Sequence, residues 1–123
     1  MAKFEVSATK SGGMKFNLKA GNGQIVATSQ TYKSKATCLK GVNSVQVNAP
    51  VAPVEDQTVE GFAVEKNPKF EIYTDKAGEF RFRLKATNGQ IIAVSESYKA
   101  MASCVNGVES VKKNADSEIV LDF

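Results

Sequence analysis

The sequence predicts an α+β fold in which one module of three strands and a helix occurs twice and both copies share one sheet. Two observations carry this prediction. With Phe4 placed over Phe70, residues 3–49 align without a gap on residues 69–115, and roughly half of the positions are identical. Within each copy, apolar residues first alternate at every second position and then recur at helical spacing.

The first part of each copy is predicted to form a three-stranded antiparallel meander. In the second copy Phe80, Phe82 and Leu84 alternate with basic residues, which is typical of a strand with one buried face. A glycine-containing turn separates the first two strands of each copy, and Asn-Gly, a strong hairpin signal, precedes the third strand. The third strands are predicted at residues 25–29 and 91–95.

A helix is predicted to follow each meander, beginning after Ser34 or Ala100 and ending near the Asn48-Ala49-Pro50 stop in the first copy. Residues at i, i+4 and i+7 define its buried face, and these are Cys38, Val42 and Val45 in one copy and Cys104, Val108 and Val111 in the other. Gly41 and Gly107 lie on the same face, so we expect close packing of helix on strands.

The alignment divides one predicted domain, residues 1–123, into repeat one (3–49), a connector (50–68), repeat two (69–115) and a C-terminal strand (116–123). The connector holds all three prolines and several acidic residues. We predict a strand at 58–65 within it and place Glu55 on a solvated edge. A single module would leave two open sheet edges, so we expect the two modules to join edge to edge. The order of strands at their junction stays open.

Composition argues against several functional classes. The chain has no histidine, which removes the commonest general base and the most frequent metal ligand. Both cysteines, Cys38 and Cys104, are expected to be core thiols rather than nucleophiles or a disulfide. No apolar run approaches the roughly 20 residues that span a bilayer, and no secretory signal is evident. We predict a cytoplasmic, non-enzymatic protein with no catalytic residue, metal or cofactor.

The outward side of the second copy's central strand is the candidate functional surface. Arg81, Arg83 and Lys85 lie there beside a strand that presents Tyr73 and Glu71. With the net charge of +3, this surface suggests phosphate contacts and base stacking. Cross-strand pairing with Glu71 is the other reading. Nucleic-acid-binding sheets usually present several aromatics, so we favour a small interaction module with an unknown partner, with nucleic-acid binding as the alternative.

One set of motifs runs through both copies and is most complete in the second. It comprises Lys-Phe-Glu-Ile-Tyr (69–73), Gly-Glu-Phe-Arg-Phe-Arg-Leu-Lys-Ala (78–86), Asn-Gly-Gln (88–90), Ser-Glu-Ser-Tyr (95–98) and Gly-Val-Glu-Ser-Val-Lys-Lys-Asn-Ala (107–115). This pattern resembles the YegP-like family of small bacterial proteins, over nearly the whole chain.

The resemblance implies duplicated β-β-β-α-β modules that form one continuous, mainly antiparallel sheet with both helices on one face and the C-terminal strands exchanged. In that family such modules occur as tandem repeats or as dimers of single-repeat chains, and the resemblance assigns no function and no catalytic residue. From the repeat we predict a monomer with pseudo-two-fold symmetry. The first copy departs from the pattern, since Ser7, Gly13, Lys15 and Asn17 stand where the second copy has Tyr73, Glu79, Arg81 and Arg83. A function tied to the tyrosine and arginine side chains of this surface would therefore belong to the second copy alone.

Overall fold

The structure is a computed structural model that describes residues 2–122, excluding the side chain of Asp122. Two helices are formed by Lys35–Asn48 (α1) and Met101–Asn114 (α2), and a single 3₁₀ turn, Ala49–Val51, follows α1. The strands of residues 2–122 are Lys3–Ala8 (β1), Met14–Lys19 (β2), Ile25–Thr28 (β3), Val54–Asp56 (β4), Lys69–Thr74 (β5), Phe80–Lys85 (β6), Ile91–Val94 (β7) and Glu118–Asp122 (β8).

All of these strands belong to one sheet with the order β4-β5-β6-β7-β3-β2-β1-β8. The pairing is antiparallel except at the two ends, where β4 runs parallel to β5 and β8 runs parallel to β1. The last strand of each copy therefore pairs with the first strand of the other copy. The predicted α+β fold, with one continuous sheet and exchanged C-terminal strands, is confirmed.

The strand predicted at 58–65 is wrong, because the connector strand is Val54–Asp56. Its backbone joins β5 directly, through the Phe70 N–H donating to the Pro53 carbonyl at 2.8 Å and the Gln57 N–H donating to the Ile72 carbonyl at 2.8 Å. The second copy has the same order of elements, since β8 begins at Glu118, only a few residues after α2 ends at Asn114. Prolines at 50 and 53 end the helix and turn the chain into the sheet.

The core lies between the two helices and one face of the sheet and is continuous across both copies. Its largest side chains come from alternating positions of the β1–β2 and β5–β6 hairpins. The ring centres of Phe4 and Phe16 are 5.9 Å apart, and those of Phe70 and Phe82 are 6.0 Å apart. Each helix packs on strands of both copies, α1 on β2 and β7 and α2 on β6 and β3. Neither copy could bury its apolar face in this way alone.

A glycine in each helix permits the close packing that the sequence predicts. A Cβ atom at Gly107 would lie 2.6 Å from the Tyr98 hydroxyl oxygen and 2.8 Å from Cε2 of Phe82. These two rings stack at 6.3 Å with an interplanar angle of 12°. Gly41 stands in the same relation to Tyr32 and Phe16. The helices therefore lie directly on two aromatic stacks, and any larger residue would push them away.

The two cysteines are free and fully buried in this core. Burial raises the pKa of the Cys38 thiol, and it raises that of Cys104 to about 11. Both thiols therefore stay protonated at neutral pH, as expected for small apolar core residues.

Within residues 2–122, neither helix has the length and apolar character needed to cross a membrane.

Candidate binding face of the sheet

One face of the sheet is covered by α1 and α2, and we call the opposite face the open face. The residues of the predicted surface all lie on it. Tyr73 is directly opposite Arg81 in the β5–β6 ladder, Glu71 is opposite Arg83, and Lys69 is opposite Lys85. The hairpin register thus brings Tyr73, Arg81, Arg83 and Lys85 together as the sequence predicts.

Arg83 is held by its cross-strand neighbours. Its Nε atom donates to Oε1 of Glu71 at 2.6 Å, and its guanidinium carbon lies 4.6 Å from the centre of the Tyr73 ring. Lys85 approaches the same carboxylate, with Nζ 3.3 Å from Oε2 of Glu71. This geometry is the cross-strand pairing of Arg83 with Glu71 that the sequence analysis considered, and Arg83 also covers one face of the Tyr73 ring.

Arg81 is held by a second carboxylate. Its Nε atom lies 3.0 Å from Oδ2 of Asp75 and 3.0 Å from the Ser97 hydroxyl, which itself donates to Asp75 at 2.9 Å. The backbone N–H of Glu79 is the largest influence on Asp75, and together with Ser97 and Arg81 it holds the pKa of that carboxyl at about 2. Asp75 therefore remains charged and paired with Arg81 at neutral pH.

A buried ion network extends from this surface to the connector. Lys69 lies between two carboxylates, with Nζ 2.7 Å from Oε1 of Glu55 and 3.3 Å from Oε2 of Glu71. The side chains of Lys69, Glu55 and Glu71 are only 9%, 2% and 4% exposed. The expectation that Glu55 lies on a solvated edge is therefore wrong.

The connector itself closes over this network. Glu55 accepts hydrogen bonds from the Gln57 side chain at 2.6 Å and from the Glu65 N–H at 2.8 Å. Burial alone would raise the pKa of Glu55, but its bonds with Lys69, Gln57 and Glu65 outweigh burial and hold the pKa at about 2. The bond to Glu55, the largest influence, raises the pKa of Lys69. We call Glu55, Lys69 and Glu71 the covered corner.

The matching corner of the first copy lacks this cover. Glu5 pairs with Lys3 at 3.2 Å and with Lys19 at 2.9 Å, and the exposed fractions of Lys3, Glu5 and Lys19 are 37%, 18% and 28%. In the parallel register, Val120 stands opposite Glu5, in the place that Glu55 takes opposite Glu71. The hydrogen bond from Lys19 is the largest influence that lowers the pKa of Glu5. We call Lys3, Glu5, Lys19 and Val120 the uncovered corner.

A groove crosses the open face at the pseudo-two-fold axis, where the two copies meet. Among the described residues β3 and β7 pair through Thr28 and Val94, so the strands diverge on either side of this contact. The groove has a volume of about 490 Å³ and is lined by Ile25, Thr28, Arg81, Ile91, Val94 and Glu96, among others. Ile25 and Ile91, at equivalent positions, are each 39% exposed. We call it the seam groove.

Comparisons with known proteins place this architecture in a family. The model of a domain of unknown function, DUF1508, matches residues 10–56 and 75–122, one segment in each copy. The UPF0339 protein YegP of Yersinia pestis is 39% identical over 123 residues, covering 100% of this chain and 96% of that protein. A UPF0339 protein from the ptx operon 5′ region of Stutzerimonas stutzeri is 39% identical over 118 residues, covering 95% and 93%.

Two solved structures have the same fold. The solution NMR structure of YegP from Escherichia coli superposes with a TM-score of 0.81 at 34% identity, covering 98% of this chain and 92% of that chain. The solution NMR structure of a UPF0339 protein from Shewanella oneidensis gives 0.80 at 31% identity, covering 98% and 90%. This chain belongs to the YegP-like family of duplicated DUF1508 proteins, a family of unknown function. The predicted resemblance is confirmed.

Proposed function

We propose that this chain is a non-enzymatic binding protein that holds a segment of another protein on the open face of its sheet. The observation that carries this proposal is the seam groove, where Ile25 and Ile91 stay 39% exposed at the centre of a face that no helix of residues 2–122 covers. Exposed apolar side chains in a concave site with polar surroundings are typical of binding sites.

The non-enzymatic part of the proposal rests on side-chain chemistry. The chain has no histidine, and its two thiols are buried and protonated at neutral pH. Asp75 and Glu55, whose pKa values are held at about 2, are too acidic to act as bases near neutral pH. Ordinary routes to a general base or an activated nucleophile are therefore closed at these positions.

A protein partner is favoured over nucleic acid because the cations of the predicted surface are already engaged. Arg83 and Arg81 already donate from Nε to Glu71 and Asp75, at 2.6 Å and 3.0 Å, so a phosphate that approached either arginine would also meet a neighbouring carboxylate. The guanidinium of Arg83 already stacks on the Tyr73 ring. Nucleic-acid-binding sheets usually present several aromatic side chains, whereas the predicted surface has only Tyr73. The apolar seam groove suits a side chain better than a phosphodiester backbone.

A cytoplasmic monomer completes the proposal. Two free cysteines suit a reducing compartment. Intramolecular exchange of β4 and β8 already supplies each copy with the partner strand that a second chain would otherwise provide. Light scattering of the purified protein gives the oligomeric state directly.

The proposal is tested by replacing Ile25 and Ile91 together with lysine. Because both side chains are exposed, the fold is expected to survive, while an apolar contact in the seam groove is expected to be lost. Proteins retained from a bacterial extract are compared by quantitative mass spectrometry, and each is then titrated in purified form. Val47→Lys is the matched control, since Val47 is 62% exposed on α1, away from the open face.

We expect at least one purified partner whose affinity falls about tenfold or more in the double variant and is unchanged by Val47→Lys. The proposal would be contradicted if every purified partner bound the Ile25→Lys, Ile91→Lys double variant and the Val47→Lys variant with equal affinity. Labelled single-stranded RNA and DNA are titrated at two salt concentrations in parallel. Salt-dependent binding that drops in Arg83→Ala, without a protein partner, would replace the proposal by nucleic-acid binding.

A further inference from the structure

The outer edge of β8 lies at one end of the sheet, away from the seam groove. Among the strands of residues 2–122, β8 pairs with β1 alone. Its other edge therefore presents backbone N–H and C=O groups with no strand beside them. We infer that this edge takes up an extended segment of a partner protein as a further strand, and that the segment alternates apolar with basic side chains.

Apolar side chains remain exposed along this edge. In the parallel register Ile119 stands beside Phe4 and Leu121 beside Val6, so both lie on the helix-covered face of the sheet. Phe4 and Val6 are fully buried, whereas Ile119 and Leu121 are 41% and 47% exposed. We call Ile119 and Leu121 the ledge. A strand added beside β8 would place its own apolar side chains against the ledge and extend the core.

The opposite end of the sheet has an edge that is protected against such pairing. β4 stands to β5 as β8 stands to β1, and Asp56 takes the place of Leu121. β4 has three residues and follows Pro53, and Asp56 accepts from the Thr58 N–H at 3.0 Å as the chain turns away. Short length, a flanking proline and an acidic residue all discourage strand addition. β8 has five residues, no proline and Leu121 in the place of Asp56, so it is open to pairing.

The open-face side of β8 favours basic residues in the added strand. Glu118 stands beside Lys3 in the register, but the Lys3 ammonium is 3.2 Å from Glu5, and Glu118 has no ion pair among the described residues. Lysines and acidic positions balance over the open face of β1, β2 and β8, namely Lys3, Lys15 and Lys19 against Glu5, Glu118 and position 122. The charged positions of the outermost strand are nevertheless both acidic. A strand outside β8 would have these as its neighbours, which favours lysine or arginine there.

A strand from a second copy of this chain fits this edge less well. Antiparallel pairing of two β8 strands about Val120 would set Glu118 of each chain opposite the aspartate at position 122 of the other. Pairing about Ile119 would set the aspartates at positions 116 and 122 opposite each other. Like charges directly opposite each other are destabilising. The complementary strand therefore has basic residues at these positions, and β8 does not supply them.

The inference is tested with a fluorescently labelled peptide, Gly-Lys-Val-Thr-Val-Lys-Gly, blocked at both ends. Its valines match the ledge, and its lysines match Glu118 and position 122. Binding to the full-length protein is followed by anisotropy. We expect saturable binding that weakens with salt and falls about tenfold or more when the central residues of the peptide are N-methylated, because this removes strand hydrogen bonds. The peptide Gly-Glu-Val-Thr-Val-Glu-Gly is expected to bind about tenfold more weakly or less.

A charge exchange on β8 places the binding at this edge. Glu118→Lys is expected to weaken binding of the lysine peptide about tenfold or more and to strengthen binding of the glutamate peptide, a gain that loss of folding cannot produce. Glu109→Lys is the matched control, since Glu109 is exposed on α2 and the change in net charge is the same. We expect it to alter either affinity less than about twofold. Leu121→Thr, which shortens the ledge, is expected to weaken binding of both peptides, whereas Val54→Thr on β4 is not.

The inference would be overturned if neither peptide bound, if both bound equally, or if Glu118→Lys and Glu109→Lys had equal effects. Loss of peptide binding in the Ile25→Lys, Ile91→Lys double variant would place the peptide in the seam groove and would also overturn it. A dimer in light scattering that Leu121→Thr dissociates would overturn it in favour of a second copy. Unchanged peptide binding in the double variant supports the β8 edge, whatever the outcome for the seam groove.

Discussion

A fragment of residues 1–57 is expected to form a homodimer, or to lose its fold, rather than to persist as a folded monomer. In this fragment β4 has no strand to pair with, and the remaining β3-β2-β1 sheet has two open edges because β3 has lost β7 and β1 has lost β8. Two copies can repair this by pairing β4 of each chain with β1 of the other, as β8 pairs with β1 in the intact protein. Light scattering and circular dichroism over a range of concentrations give mass and folding together.

The dimer is expected to have twice the fragment mass and to unfold at lower denaturant as the concentration falls, because association and folding are linked. The first copy also lacks the second helix that covers β3, so dissociation exposes core residues. A fragment that remains monomeric, with native-like circular dichroism and concentration-independent unfolding, would show that one module is complete in itself.

The second large effect is expected from Glu71→Ala. Glu71 is 4% exposed and pairs with Lys69, Arg83 and Lys85. Without it Lys69 would keep Glu55, whereas Arg83 and Lys85 would lose the carboxylate with which they pair. Leaving a buried cation without its partner is strongly destabilising. We expect the free energy of unfolding to fall by roughly 2–4 kcal/mol, less than for a fully buried pair because Arg83 and Lys85 reach solvent. Urea unfolding followed by circular dichroism measures the loss.

Glu5→Ala is the matched control for this prediction, since Glu5 is the equivalent residue in the other copy. Its partners Lys3 and Lys19 are 37% and 28% exposed, so water can solvate them when the carboxylate is removed. We expect a much smaller loss of stability than for Glu71→Ala. Equal losses in the two variants would mean that the connector does not bury the network around Lys69.

The parts of the fold that local sequence controls could be predicted. Strand and helix positions follow from apolar spacing, and the Asn-Gly turns contain glycines with positive φ at Gly23 and Gly89, both +84°. The position of β4 was missed because it depends on pairing with β5 of the other copy. That pairing is a tertiary contact for which the short, proline-flanked strand gives a weak signal.

The candidate site was predicted in the same uneven way. The hairpin register places Arg83 beside Glu71 and Tyr73, and alternation within two strands is enough to predict it. The network around Lys69 was missed because Glu55 reaches it from another strand. The seam groove was missed because it exists only where β3 of one copy meets β7 of the other. Both features are consequences of how the copies join.

Cleavage of the folded protein within the connector tests that junction most directly. A protease site placed at the exposed Glu60-Gly61 bond would leave every strand intact while removing the covalent link between the copies. Because β4 and β8 each pair across the junction, the two fragments are expected to elute together after cutting and to unfold as one concentration-dependent complex. Fragments that separate spontaneously, each still folded and each with its own unfolding transition, would contradict the shared sheet.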